Sequence, residues 1–121
     1  MSQYNDTGYG TVILTATVAQ YQRVTALGAV GVLASIPFGV AREQGISGEA
    51  IGVAFVNKQG TTKMIAIKAI AKGVKVYTTT VGKVTDTFAT GGFVVGVSAE
   101  AAGADNDVIE VMLMPSGVTG A

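Results

Sequence analysis

The sequence predicts an all-β fold, a sandwich or a barrel, and three observations carry that expectation. The apolar residues are mainly Ala, Val and Ile, with many Thr and 17 Gly among 121 residues, which is the composition of β-branched strands broken by turns. Short stretches alternate apolar and polar residues with the two-residue period of a half-buried strand. These stretches follow one another too closely to leave room for crossover helices, which excludes alternating βα units.

Residues 1–10, MSQYNDTGYG, are polar and turn-forming and are expected to make a flexible N-terminal arm, with one β-domain over 11–121. TVILTATV (11–18) is a strongly β-branched strand, and 22–34 is a second extended region interrupted at Gly28 and Gly31. IPFGVARE (36–43) and EAIGVAFV (49–56) follow as strands, the latter closing on the turn-like NKQG at 57–60. Residues 61–73 carry two patterns. Ile67, Ile70 and Val74 would share a helical face, whereas Ile65 and Ile67 alternate against Met64 and Ala66 as in a strand. A strand through about Ile67, then a turn or single helical turn before Gly73, is the expectation. VKVYTTTVGKVTD (74–86) forms a hairpin bending at Val81-Gly82-Lys83, and 93–100 and 107–114 are the last two strands. Pro37 and Pro115 lie near strand ends, where a missing N–H is tolerated.

An internal repeat runs through this pattern. Phe38-Gly39-Val40-Ala41-Arg42-Glu43 is similar to Val95-Gly96-Val97-Ser98-Ala99-Glu100, and Ile51–Phe55 to Ile109–Leu113. Upstream, Val30-Gly31-Val32 is matched with Val81-Gly82-Lys83-Val84. Two similar meanders packed face to face would bury both apolar faces.

Hydrophobic residues make up 49% of the chain and charged ones 13%, about half the usual charged share. A domain this small has a large surface to cover, so some apolar surface is expected to be covered by further copies, and a homotrimer is predicted. Eight basic and eight acidic residues give zero net charge and no field that would draw in nucleic acid or an anionic membrane. The charges are segregated along the chain. Lys58, Lys63, Lys68, Lys72, Lys75 and Lys83 occur with no acid between them, and Asp86, Glu100, Asp105, Asp107 and Glu110 follow. They either solvate neighbouring strands or mark complementary contact surfaces.

The chemistry-bearing residues are few. Without His or Cys, the commonest general base, the thiolate nucleophile and the usual zinc ligands are missing, so no enzyme, no cofactor and no metal are expected. Asp105 and Asp107 sit in a turn-forming Gly-Ala-Asp-Asn-Asp stretch that does not complete a calcium-loop pattern. Gly28 and Gly31 are not followed by the Lys-Ser/Thr pair of a phosphate loop. The lysine segment lacks the interleaved aromatics of a single-strand-binding groove, apart from Tyr77. The N-terminus lacks signal-peptide regions, and the uncharged run 24–40 is broken by glycines and Pro37, so no membrane span is expected.

From Gly60 onward, the order Ala69-Ile70-Ala71-Lys72-Gly73, Val74-Lys75-Val76-Tyr77, Gly82-Lys83-Val84-Thr85, Val95-Gly96-Val97 and Val108–Leu113 resembles tailed-phage capsid decoration (cement) proteins. Val74 departs from the Asp that the family commonly places after that Gly. The resemblance implies a small β-barrel or tulip-like domain, assembled as trimers on the outside of an icosahedral shell and made in the host cytoplasm. The partner would be the major capsid protein. Under that reading, Tyr4, Asn5, Asp6 and Tyr9 of the arm, with Lys68 and Lys72, are the candidate capsid contacts. Other readings are a head-fibre base, a tail or adaptor component, and a carbohydrate-binding surface module.

Overall fold

The computed structural model describes residues 8–35, 37–56 and 60–113, and these form nine strands and no helix. They are β1 (Tyr9–Ile13), β2 (Arg23–Val24), β3 (Gly39–Ala41), β4 (Ala50–Phe55), β5 (Thr61–Ile65), β6 (Lys75–Thr78), β7 (Val84–Thr85), β8 (Val94–Ser98) and β9 (Val108–Leu113). Two antiparallel sheets, ordered β1-β4-β3-β2 and β5-β9-β8-β6-β7, pack as a sandwich, and neither closes into the barrel that was the other expectation. The first strand begins at Tyr9, so the last residues read as arm belong to the sheet: Tyr9 and Gly10 pair with Ala54 and Val53. The helical pattern at 61–73 is not used. After β5 the chain bends at Ile67 and Lys68, bridges Ile70 to Ala102, and turns at Gly73 with a positive φ of 85°.

The repeat is real and extends further than the sequence similarity. Strands β1, β2, β3 and β4 correspond to β5, β6, β8 and β9, because each half orders its four strands in the same way. The linkers correspond too. Val18 bridges Gly45 as Ile70 bridges Ala102, and the Leu14 amide donates to Glu49 O as the Ala66 amide donates to Asp107 O. Positive φ falls at matched positions, Tyr21 with Gly73 and Gly48 with Asn106. Glu43 accepts from the Gly52 amide at 3.0 Å, and Glu100 from the Glu110 amide at 2.8 Å.

The hairpins after β2 and β6 also correspond, but in another register from the one the sequence offered. Thr25-Ala26-Leu27-Gly28-Ala29-Val30 matches Thr79-Thr80-Val81-Gly82-Lys83-Val84, three residues upstream of the expected Val30-Gly31-Val32 pairing. In each, a threonine hydroxyl accepts from the amide four residues on, and the turn glycine has positive φ. β7 is therefore an elaboration of the return arm that Val30 makes by its bridge to Val24.

Within this sandwich the buried side chains fall into two clusters, one centred in each half. Val12, Leu14, Val18, Val24, Ile51 and Val53 of the first correspond to Met64, Ala66, Ile70, Val76, Ile109 and Val111 of the second. Leu14 is replaced by the much smaller Ala66, and the larger Met64 and Ile70, in place of Val12 and Val18, restore most of that volume. Val40 joins the halves. It lies on the opposite face of β3 from Ala41, and its side chain packs into the cluster of the second half.

Candidate contact surfaces and the junction between the halves

The outer face of the first sheet carries a cross-strand row, Arg23–Val40–Ala54, fixed by the registers of β2, β3 and β4. The second half covers this row. Arg23 is 3% exposed and has no carboxylate partner among the described residues. Its guanidinium instead donates through Nη2 to Thr79 O at 2.9 Å and Gly31 O at 3.2 Å, and through Nε to Lys83 O at 3.3 Å. The Arg23 amide donates to Gly82 O at 2.9 Å, and Gln22 Nε2 to Val81 O at 2.8 Å. The tip of the β6–β7 hairpin is thus fastened to the edge strand of the first sheet. Burial lowers the pKa of Arg23 to about 10, so the side chain is charged at neutral pH. Nothing in the sequence distinguishes this arginine from a surface one, because all its acceptors are main-chain carbonyls distant in the chain.

Beside the junction lies an open cleft of about 360 Å³, lined by Tyr9, Tyr21 and Arg42 from the first half and by Thr61, Lys63 and Glu110 from the second, among others. Arg42 stacks 4.3 Å from the centroid of Tyr9, and the Lys63 ammonium lies 6.0 Å from that of Tyr21. Tyr21 is held at φ 68°, where the second half has Gly73. A β-carbon in that region costs about 1 kcal/mol, so the Tyr21 side chain is retained against a local preference for glycine.

Of the residues picked from the sequence, Tyr4, Asn5 and Asp6 lie outside the described residues. Tyr9 is 39% exposed on edge strand β1. Lys68 and Lys72 are exposed on the linker between β5 and β6, and Lys68 is paired with Asp86 at 3.2 Å. It is Lys63, not Lys68 or Lys72, that shares a cleft with Tyr9. The segregated charges meet within the chain: besides Lys68–Asp86, Lys83 pairs with Asp105 at 3.3 Å, and Lys63 faces Glu110 across β5 and β9. Asp107 accepts from the Gly103 and Ala104 amides at 2.7 and 3.1 Å, the turn-forming role its sequence context indicates. Among the described residues, no helix is long and apolar enough to cross a membrane.

The fold is similar to a solved structure described as the head fiber gp8.5 N base in bacteriophage phi29, with a TM-score of 0.71 and 18% identity over 88% of this chain and 92% of that one. No curated protein matches the sequence. The family model described as phage cement protein matches residues 8–113, from the residue before β1 to the end of β9 and across both halves of the repeat. A duplicated β scaffold joined by main-chain contacts, with its polar side chains engaged in turns and pairs, is consistent with a structural part of a virion, and the chain belongs to the phage cement protein family.

Proposed function

We propose that the protein decorates the outer surface of an icosahedral phage shell, binding between major capsid subunits as a homotrimer and stabilising the shell without catalysis. The observation that carries this reading is the family match across the whole described domain. Supporting it, the small charge-poor chain leaves Ile13, Leu27, Ile46 and Met112 more than half exposed, which favours coverage by other copies or by a larger assembly. Modest affinity per contact is enough for such a role, because the contact repeats many times over a shell.

The arm residues Tyr4, Asn5 and Asp6, with Tyr9 at the start of β1 and Lys68 and Lys72, are the proposed docking set. Purified protein added to shells lacking their cement protein should fill sites in regular array by electron cryomicroscopy. Deleting residues 2–8 or making the paired K68E and K72E changes should lower occupancy and leave the free protein's association unchanged. Absence of ordered density on such shells would overturn the decoration reading.

The likeness to the head fiber base supports a second reading, in which the domain seats a projection on the head. Density extending radially beyond the domain on native particles would favour it.

A further inference from the structure

Each half of the repeat is a control for the other. Under the correspondence of the halves, Tyr9, Tyr21 and Arg42, which wall the cleft from the first half, stand where the second has Thr61, Gly73 and Ala99. The main chain around Tyr21 is the same in both. The Tyr21 amide donates to Ala41 O at 2.7 Å and the Gly73 amide to Ser98 O at 2.8 Å, with φ of 68° and 85°. Glycine is the residue that such a backbone favours. The scaffold thus forms in the second half without two rings and a guanidinium, and the repeat gives no folding reason for these three side chains.

The cleft is also unbalanced in charge. Arg42 lies over the Tyr9 ring and the Lys63 ammonium 6.0 Å from the centroid of Tyr21, so each cation is placed beside an aromatic face. Neither has a carboxylate within ion-pair distance among the described residues, whereas Lys68 and Lys83 do. The one acid among the described lining residues, Glu110, accepts from the Thr61 hydroxyl at 3.0 Å. Two cations against one engaged carboxylate leave an excess positive charge between two rings. A carboxylate on an aliphatic stem complements that arrangement: the guanidinium fork and the ammonium take its oxygens, and the rings take the stem.

We infer that the cleft binds an acidic segment of a protein partner, an Asp or Glu side chain of which seats against Arg42 and Lys63. The opening of about 360 Å³ holds a short stretch of chain rather than a bare ion. The inference deepens the decoration reading and rests on it for the partner's identity, which is then an exposed acidic loop of a shell subunit. Arg42 and Lys63 come from different halves, so the fastened junction between the halves fixes their spacing.

The test follows the backbone amides of Tyr21, Arg42 and Lys63 by nuclear magnetic resonance, with acetyl-triglutamyl amide, its triglutaminyl analogue and sodium acetate as probes. The triglutamyl peptide should give saturable shifts at these amides, and the other two should not. R42Q and K63Q should each weaken binding by about fivefold or more. Y21G supplies the residue of the second half, so it should keep the wild-type urea midpoint and still bind about fivefold more weakly. Triglutamyl shifts no larger than the triglutaminyl ones would overturn the site, and equal saturable shifts with acetate would overturn its assignment to a peptide. A Y21G variant that binds as tightly as wild type would overturn the role of the ring. On shells lacking their cement protein, the double variant R42Q/K63Q should lose occupancy. Shells filled equally by wild type and the double variant would overturn the shell loop as partner and leave decoration standing. Shells filled by neither, with the triglutamyl peptide still bound, would overturn decoration and leave the site standing.

Discussion

Replacing Arg23 with methionine probes the junction most directly, because the aliphatic stem is kept and only the guanidinium is lost. Two acceptors are then orphaned, Thr79 O and Gly31 O, while Lys83 O keeps its bond from the Thr79 hydroxyl at 2.8 Å. A buried acceptor without a donor costs about 1–3 kcal/mol, so the pair costs about 2–6 kcal/mol. Against this stands relief of burying a cation. The fall in pKa from its ordinary value to about 10 corresponds to a penalty on the order of 3 kcal/mol. The balance runs from a gain of about 1 kcal/mol to a loss of about 3, with a mid-range loss of about 1, each kcal/mol lost lowering Tm by roughly 3–5 °C for a chain of this length. Arg23→Lys should be worse than Arg23→Met, because a compact ammonium stays buried but cannot span three carbonyls. Lys75→Met, at the exposed counterpart, should change monomer stability by less than about 0.5 kcal/mol. Urea denaturation of dilute protein gives the three values. A methionine variant more stable than wild type by over about 1 kcal/mol, or a lysine variant more stable than the methionine one, would refute the view that the carbonyl fork holds the halves together.

Gly96→Ala should be severe and Gly39→Ala mild, although the two glycines correspond. A β-carbon at Gly96 would lie 2.1 Å from Met112 O, whereas at Gly39 the nearest atom is 3.2 Å away. The first variant should lose at least about 3 kcal/mol or fail to fold, and thermal unfolding distinguishes the two. Asp107→Ala should cost about 1 kcal/mol by removing the acceptor for two turn amides, measured by the same urea titration. For pH, Arg23 binds its proton less tightly folded than unfolded. Its contribution to stability is therefore constant below its folded pKa of about 10 and becomes more favourable as pH rises from there toward the ordinary arginine value. Denaturation midpoints of wild type and Arg23→Met should accordingly run parallel from pH 6 to 9, and divergence in that range would contradict the assignment.

Most strands were legible in the sequence because their signals are local: β-branched runs, alternation, and glycines at turns. The correspondence Phe38–Glu43 with Val95–Glu100 was legible for the same reason, since Gly39 and Gly96, and Val40 and Val97, are the same residue types at the same strand positions. The hairpin match was displaced because Gly-Val pairs are common in this chain. The features that fix its true register are a positive φ and a threonine hydroxyl bond, which are visible only in three dimensions. The helix alternative at 61–73 arose from lysines spaced at 68, 72 and 75, whose exposure an extended linker explains equally well. The division of the buried residues into two clusters was not legible, because it depends on each half bending its linkers back over its own sheet, so that Val18 and Ile70 enter the cluster of their own half.

The loops between the third and fourth strands of each half hold one further consequence. From Gly45 to Gly48 the first half needs three steps, and from Ala102 to Asn106 the second needs four, yet Glu49 and Asp107 still receive amides of the turn and the strands on either side keep their pairing. The chain thus contains an internal control for lengthening at this place, in which one added residue left the scaffold undisturbed. The shorter turn, at exposed Ser47, is accordingly a graft point for a peptide tag or epitope, one offering a site for regular multicopy display should the domain coat a shell.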